Sequence, residues 1–190
     1  MTFSLVARCK DTGQFGMVIS SSSPAVAARC VHLRAGVGAV ASQNITDPGL
    51  GPLVLDQLAK GKSAADALAA ITANRDYIDY RQLLVIDTAG RSAIHSGAQG
   101  LGLWAEAQGI DCAAGGNLLA NSGVPQAMIA AFETAKGPFG DRLMAALQAG
   151  LAAGGEAGPV HSAGMKIVDT LDWPLADLRI DWSDNPIHDL

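Results

Sequence analysis

Thr2 joins a hydroxyl to what becomes a free α-amine once Met1 is removed. A hydroxyl is a weak nucleophile until a base takes its proton, and an N-terminal amine can be that base. Its ordinary pKa of roughly 7.7–8.0 leaves a useful neutral fraction near pH 7. Threonine is small, so aminopeptidase trimming of Met1 is expected. A second set of hydroxyls, Ser20 to Ser23, can hold the amine or a substrate. The chemistry this combination points to is acyl transfer. The competing reading is that Thr2 only opens a strand.

A β-hairpin positions these groups. Thr2 to Cys9 is apolar and β-branched, Lys10 to Gln14 is turn chemistry with Gly13 free to take positive φ, and Phe15 to Ile19 returns. A hairpin brings its outer ends together, which sets Ser20 to Ser23 beside Thr2.

Pro24 to Arg34 reads as extended, and Val37 to Gln43 as a buried strand that turns polar at Gln43-Asn44. Asp47 as N-cap and Pro48 at N1 predict a helix to about Lys60, stopped by Gly61. Ser63 with Asp66 caps a second helix. Arg81 to Asp87 and Arg91 to Ser96 form a second hairpin. Gly97 to Gln108 reads as a loop. Ile110 to Ala114 is a short strand, followed by Gly115-Gly116-Asn117. Helices follow from Ser122 and Pro125 to about Ala135 and from Phe139 to Ala153. Gly154 to Pro159 is a loop. Val160 to Asp169 and Asp177 to Trp182 are strands, and the polar tail is loose. This order predicts one α+β domain spanning residues 1–190, a four-layer αββα sandwich of two mostly antiparallel sheets between two helical layers.

Composition excludes several function classes. A net charge of −5 gives no basic footprint, so no nucleic-acid partner is expected. No run reaches the ~18 apolar residues of a membrane span, and no secretory signal opens the chain. A cytoplasmic protein without a membrane partner follows. Cys9, Cys30 and Cys112 have neither zinc nor disulfide spacing and read as small buried hydrophobes. His32, His95, His161 and His188 show no ligand spacing, so no metal is expected. His161 alone is kept as a possible substrate contact. Arg29 and Arg34 can grip a carboxylate, although solvated or structural roles suit them better. Gly36-Val37-Gly38 opens no helix and is not a dinucleotide fingerprint, and no G-x-S-x-G elbow is present.

The chain resembles the DUF1028 family, which is grouped with the N-terminal-nucleophile (Ntn) hydrolases. The resemblance rests on Thr2-Phe3-Ser4, Phe15 to Ser21, Ala35 to Gln43, Gly49-Leu50-Gly51-Pro52 and Gly115 to Ala120. It implies the αββα sandwich, hydrolysis of an amide C–N bond in a small molecule, and no metal or organic cofactor. It implies Thr2 as nucleophile and, through its amine, as base. Asn117 then stabilises the oxyanion, with Gly116 and its neighbour bringing backbone N–H groups to the same oxygen. Gln43 and Asn44 orient substrate, and Ser21 holds the amine. A non-catalytic binding or assembly protein on the same fold is the alternative. The apolar stretch Leu101 to Trp104 suggests a homo-oligomer in either case.

Overall fold

The computed structural model describes residues 1–190. The hairpin forms as expected: β1 (Thr2–Arg8) and β2 (Phe15–Ser21) pair antiparallel, with Gly13 at φ +79° in the turn. Both strands are buried nearly throughout, as strands covered on both faces must be.

The extended reading of Pro24 to Arg34 is corrected. One helical turn, α1 (Ala27–Cys30), precedes β3 (Val31–Arg34). Ser162 forces the bend by donating to the Ser23 carbonyl at 2.6 Å and accepting from the Val26 N–H at 3.2 Å. Then come β4 (Gly38–Asn44), α2 (Leu50–Ala59) and α3 (Ala64–Thr72). Asp47 is not the cap of α2. It closes a turn ahead of the helix, accepting from the Gly49 N–H at 3.0 Å, and Gly49 takes the cap position. Ser63 caps α3 as read, accepting from the Asp66 N–H at 3.1 Å.

A 3-10 turn (Ile78–Tyr80) leads into β5 (Arg81–Asp87) and β6 (Ser92–Ser96). The loop expected over Gly97 to Gln108 ends early, because β7 (Ala105–Gly109) pairs with β8 (Cys112–Asn117). Only Ala107 of β7 is buried, so this edge strand carries almost no hydrophobic signal. Gly115, Gly116 and Asn117 lie inside β8 rather than beyond it. After α4 (Val124–Thr134) and α5 (Phe139–Ala152) come β9 (Ser162–Val168) and β10 (Ala176–Ile180). The tail is not loose: α6 (Pro186–Asp189) buries Pro186 and Ile187.

The ten strands form two antiparallel sheets, ordered β10-β9-β2-β1-β8-β7 and β3-β4-β5-β6. Side-chain alternation sorts the core into three apolar layers. Phe3, Leu5 and Ala7 pack with Met128, Phe132, Leu143 and Leu147 of α4 and α5. The other face of the same sheet sends Val6, Met17 and Ile19 against Ala39, Ala41, Leu84 and Ile86. Val40, Leu83 and Val85 back onto Leu50, Val54 and Leu68 of α2 and α3. Each fully buried large side chain contributes roughly 1.5–3 kcal/mol of transfer free energy. The three cysteines are free and buried; burial pushes the Cys30 thiol up and that of Cys112 up to about 12.

Candidate active site

The layer between the sheets is apolar along most of its length and polar at one end. Following each strand two or four residues past its last apolar contact gives Thr2 and Ser4 on β1, Ser21 on β2 and Asn117 on β8. Gln43, Gln82 and Ser96 complete the set on β4, β5 and β6. All but Ser96 are buried. Register brings them together. Thr2 lies directly opposite Asn117, and Gln43 opposite Gln82.

Desolvation obliges these groups to satisfy one another. Ser4 donates to Gln43 Oε1 at 2.7 Å. Gln43 Nε2 donates to Gln82 Oε1 at 2.8 Å and to the Gly115 carbonyl at 3.2 Å. Gln82 Nε2 donates to Ser96 Oγ at 3.0 Å and to the Gly116 carbonyl at 3.3 Å. The backbone carbonyls accept only, so they fix which end of each glutamine is the amine. Gln82 must therefore offer Oε1 to Asn117, which answers with Nδ2 at 3.5 Å. One Nδ2 hydrogen remains free, and Asn117 Oδ1 is buried with no partner.

The Thr2 hydroxyl donates to the Met1 carbonyl and lies 3.5 Å from Ser21 Oγ. Ser21 also donates to the Met1 carbonyl at 2.5 Å and lies 2.7 Å from Ser23 Oγ. Arg29 closes this hydroxyl chain, with one nitrogen on Ser23 Oγ and the other 2.6 Å from the Pro24 carbonyl. That occupation makes Arg29 structural.

The other sequence-predicted residues divide. Gly116 is held to glycine by its neighbours: a Cβ there would lie 2.6 Å from Leu119 Cδ2 and 2.9 Å from the Thr2 carbonyl oxygen. Gln43 belongs to the amide chain and is sealed from solvent, so it braces the site from within. Asn44, at φ +76°, spends both ends of its amide on loops, donating to the Tyr80 carbonyl at 2.6 Å and accepting from the Leu101 N–H at 3.2 Å. His161 reaches the site through its backbone, donating N–H to the Ser21 carbonyl at 2.8 Å. Its ring stacks on Trp182 at 4.4 Å and points Nδ1 to the Ser183 carbonyl.

Two residues here escape sequence reasoning. Gln82 reads only as one polar residue early in an apolar strand. Glu156 reads as a solvated charge in a glycine-rich loop, yet is 4% exposed. Its carboxylate accepts from the Ser22 N–H at 3.1 and 3.2 Å. Burial pushes the carboxyl up to about 7, against the opposing pull of the Met1 α-ammonium and of Ser22.

Beside Asn117 lies a crevice too narrow to admit a water molecule, bounded by Asn44, Arg81, Gln82, Ser96 and Trp104. A wider depression of about 300 Å³ lies at the far end of β1 around Arg8, Asp111, Glu133 and Arg142, remote from the hydroxyls. No group of three His, Cys, Asp or Glu side chains is placed to hold a metal ion, and no helix is long and apolar enough to cross a membrane.

No curated protein matches the chain. Among solved structures, the crystal structure of protein SPO2555 from Silicibacter pomeroyi, described as DUF1028, is 31% identical and covers 100% of this chain and 82% of that one, with a TM-score of 0.93. Anbu (ancestral beta-subunit) from Yersinia bercovieri is 13% identical, covering 94% of this chain and 87% of that one, with a TM-score of 0.43. The family of unknown function DUF1028 matches residues 2–190, and the chain belongs to that family.

Proposed function

We propose that this protein is an Ntn-type amidohydrolase on a four-layer αββα sandwich, cleaving a C–N amide bond of a small molecule through Thr2. One observation carries the reading. Thr2 and Asn117 are direct partners on adjacent strands, and both side chains enter the polar end between the sheets. A nucleophile and an amide donor thus meet on a rigid ladder, where a donor is worth most.

Release of Met1 is required, because a peptide nitrogen is not basic. The freed Thr2 amine then takes the hydroxyl proton as Oγ1 attacks the substrate carbonyl. The free Nδ2–H of Asn117 supports the oxygen that becomes negative. The C–N bond breaks, the leaving amine departs with the proton, and an ester remains on Thr2. Water attacks that ester, passing a proton to the Thr2 amine, which returns it to Oγ1 as the ester C–O bond breaks and the acid leaves. Ser21 keeps the amine in place.

Intact-mass analysis tests this. Natively produced protein should lack one methionine and gain a single adduct from a β-lactone probe. Thr2→Ala should abolish the adduct. Retained Met1 with no adduct would sink the proposal.

One observation favours a non-catalytic binding role instead: the Thr2 and Ser21 hydroxyls are both engaged by the Met1 carbonyl. Ligand binding indifferent to Thr2→Ala would support that role. On either reading the exposed Leu101, Leu103 and Trp104 are the proposed self-association surface, and light scattering that gives a monomer removes it.

A further inference from the structure

Glu156 is a buried acid without a basic side chain as partner. Gly154 and Gly155, at φ +119° and +56°, bend the loop before it. A bridge from Glu156 to Leu119 and the bond from the Ala157 N–H to the Leu118 carbonyl, at 2.9 Å, pin it against the end of β8. The Gly158 backbone lies against Met1, where a Cβ would meet the methionine Cε at 3.6 Å. The carboxylate hangs on the Ser22 N–H, one residue beyond the Ser21 hydroxyl that grips the Met1 carbonyl. The charge that acts on it is the Met1 α-ammonium, one residue ahead of the amine that trimming leaves on Thr2. The imidazole of His161, next along this wall, is already engaged by Trp182 and Ser183.

From this placement we infer that Glu156 is the counter-anion of the Thr2 α-amine, a positioning residue that stabilises the ammonium formed when that amine takes the hydroxyl proton. The role rests on the Ntn reading and extends it: there, a carboxylate does for an ammonium what a triad aspartate does for an imidazolium. A buried acid facing no other base is poorly accounted for by structure alone, since an uncompensated buried charge disfavours folding.

The test uses the full chain beginning at Thr2 and reads two quantities. The first is the pKa of the terminal amine, followed by NMR with 15N-threonine. The second is the pH profile of acylation by a β-lactone. An opposite charge nearby raises an amine pKa by about 1–3 units, so Glu156→Gln should lower it by about one unit or more. The pH profile of acylation should shift to lower pH by the same amount and its plateau above the amine pKa should fall, with Glu156→Asp recovering part of both. An unshifted amine with an unchanged profile would overturn the inference. Should Glu156→Gln not fold, carbamylating the amine of the wild-type chain must raise the Glu156 pKa, and no rise overturns the inference. A wild-type amine that is coupled to Glu156 but never acylated would instead overturn the hydrolase reading while upholding the pairing.

Discussion

Thr2 and Asn117 face each other across the β1–β8 ladder, and the unpartnered Oδ1 of Asn117 lies within that pairing. Removing the Asn117 side chain tests catalysis apart from stability. Asn117→Ala should slow β-lactone acylation of the Thr2-initiated chain by ~10²–10³-fold, the usual loss for one oxyanion donor. Its unfolding free energy should move by less than about 1 kcal/mol, because an unsatisfied buried acceptor costs about 1–3 kcal/mol and disappears with it. Acylation kinetics and urea denaturation check the two halves.

Gln82 should behave in the opposite way. Gln82→Leu keeps the volume but removes one of the two acceptors of Gln43 Nε2 and the hydrogen bonds to Ser96 Oγ, the Gly116 carbonyl and Asn117 Nδ2. Each stranded group costs about 1–3 kcal/mol, so a total loss of about 2–4 kcal/mol is expected in urea unfolding.

Two adjacent glycines should differ. A Cβ on Gly116 strikes the Thr2 carbonyl oxygen at 2.9 Å, whereas one on Gly115 meets Leu84 Cδ2 at 3.1 Å and Gln82 Nε2 at 3.4 Å, both side-chain atoms. Gly116→Ala should cost about 1–3 kcal/mol and displace the nucleophile. Gly115→Ala should be milder in both melting temperature and acylation rate.

Glu156 sets a pH dependence of stability. Burial raises its carboxyl from 4.5 to about 7, so between those values the folded chain holds a proton that the unfolded chain has released. Stability from this group is full below about pH 4.5 and falls as pH rises to about 7, by at most about 3 kcal/mol. Glu156→Gln should flatten the wild-type difference between mildly acidic and mildly alkaline denaturation curves. It should also stabilise the Met1-bearing chain on the alkaline side.

The strongly patterned elements could be read from the sequence. The Thr2–Ser21 hairpin, α3 behind its Ser63 cap and the long α5 carry local signals that tertiary packing did not override. Elsewhere the deciding force is non-local. β7 shows no pattern because a neighbour covers only Ala107, and α1 bends because Ser162, far along the chain, ties its entry. The site divides in the same way. Thr2 stands out by residue type and position, Ser21 only as one of four hydroxyls that the hairpin returns, and Asn117 only through the family resemblance, whereas Gln82 and Glu156 matter through what register and a glycine bend place around them.

The sealed thiols settle what a covalent label on this chain means. With Cys9, Cys30 and Cys112 all beneath packed side chains, an electrophile finds no accessible thiolate to divert it. An adduct on the intact protein therefore reports a nucleophile other than a thiol, and its site can be mapped without blocking or replacing cysteine.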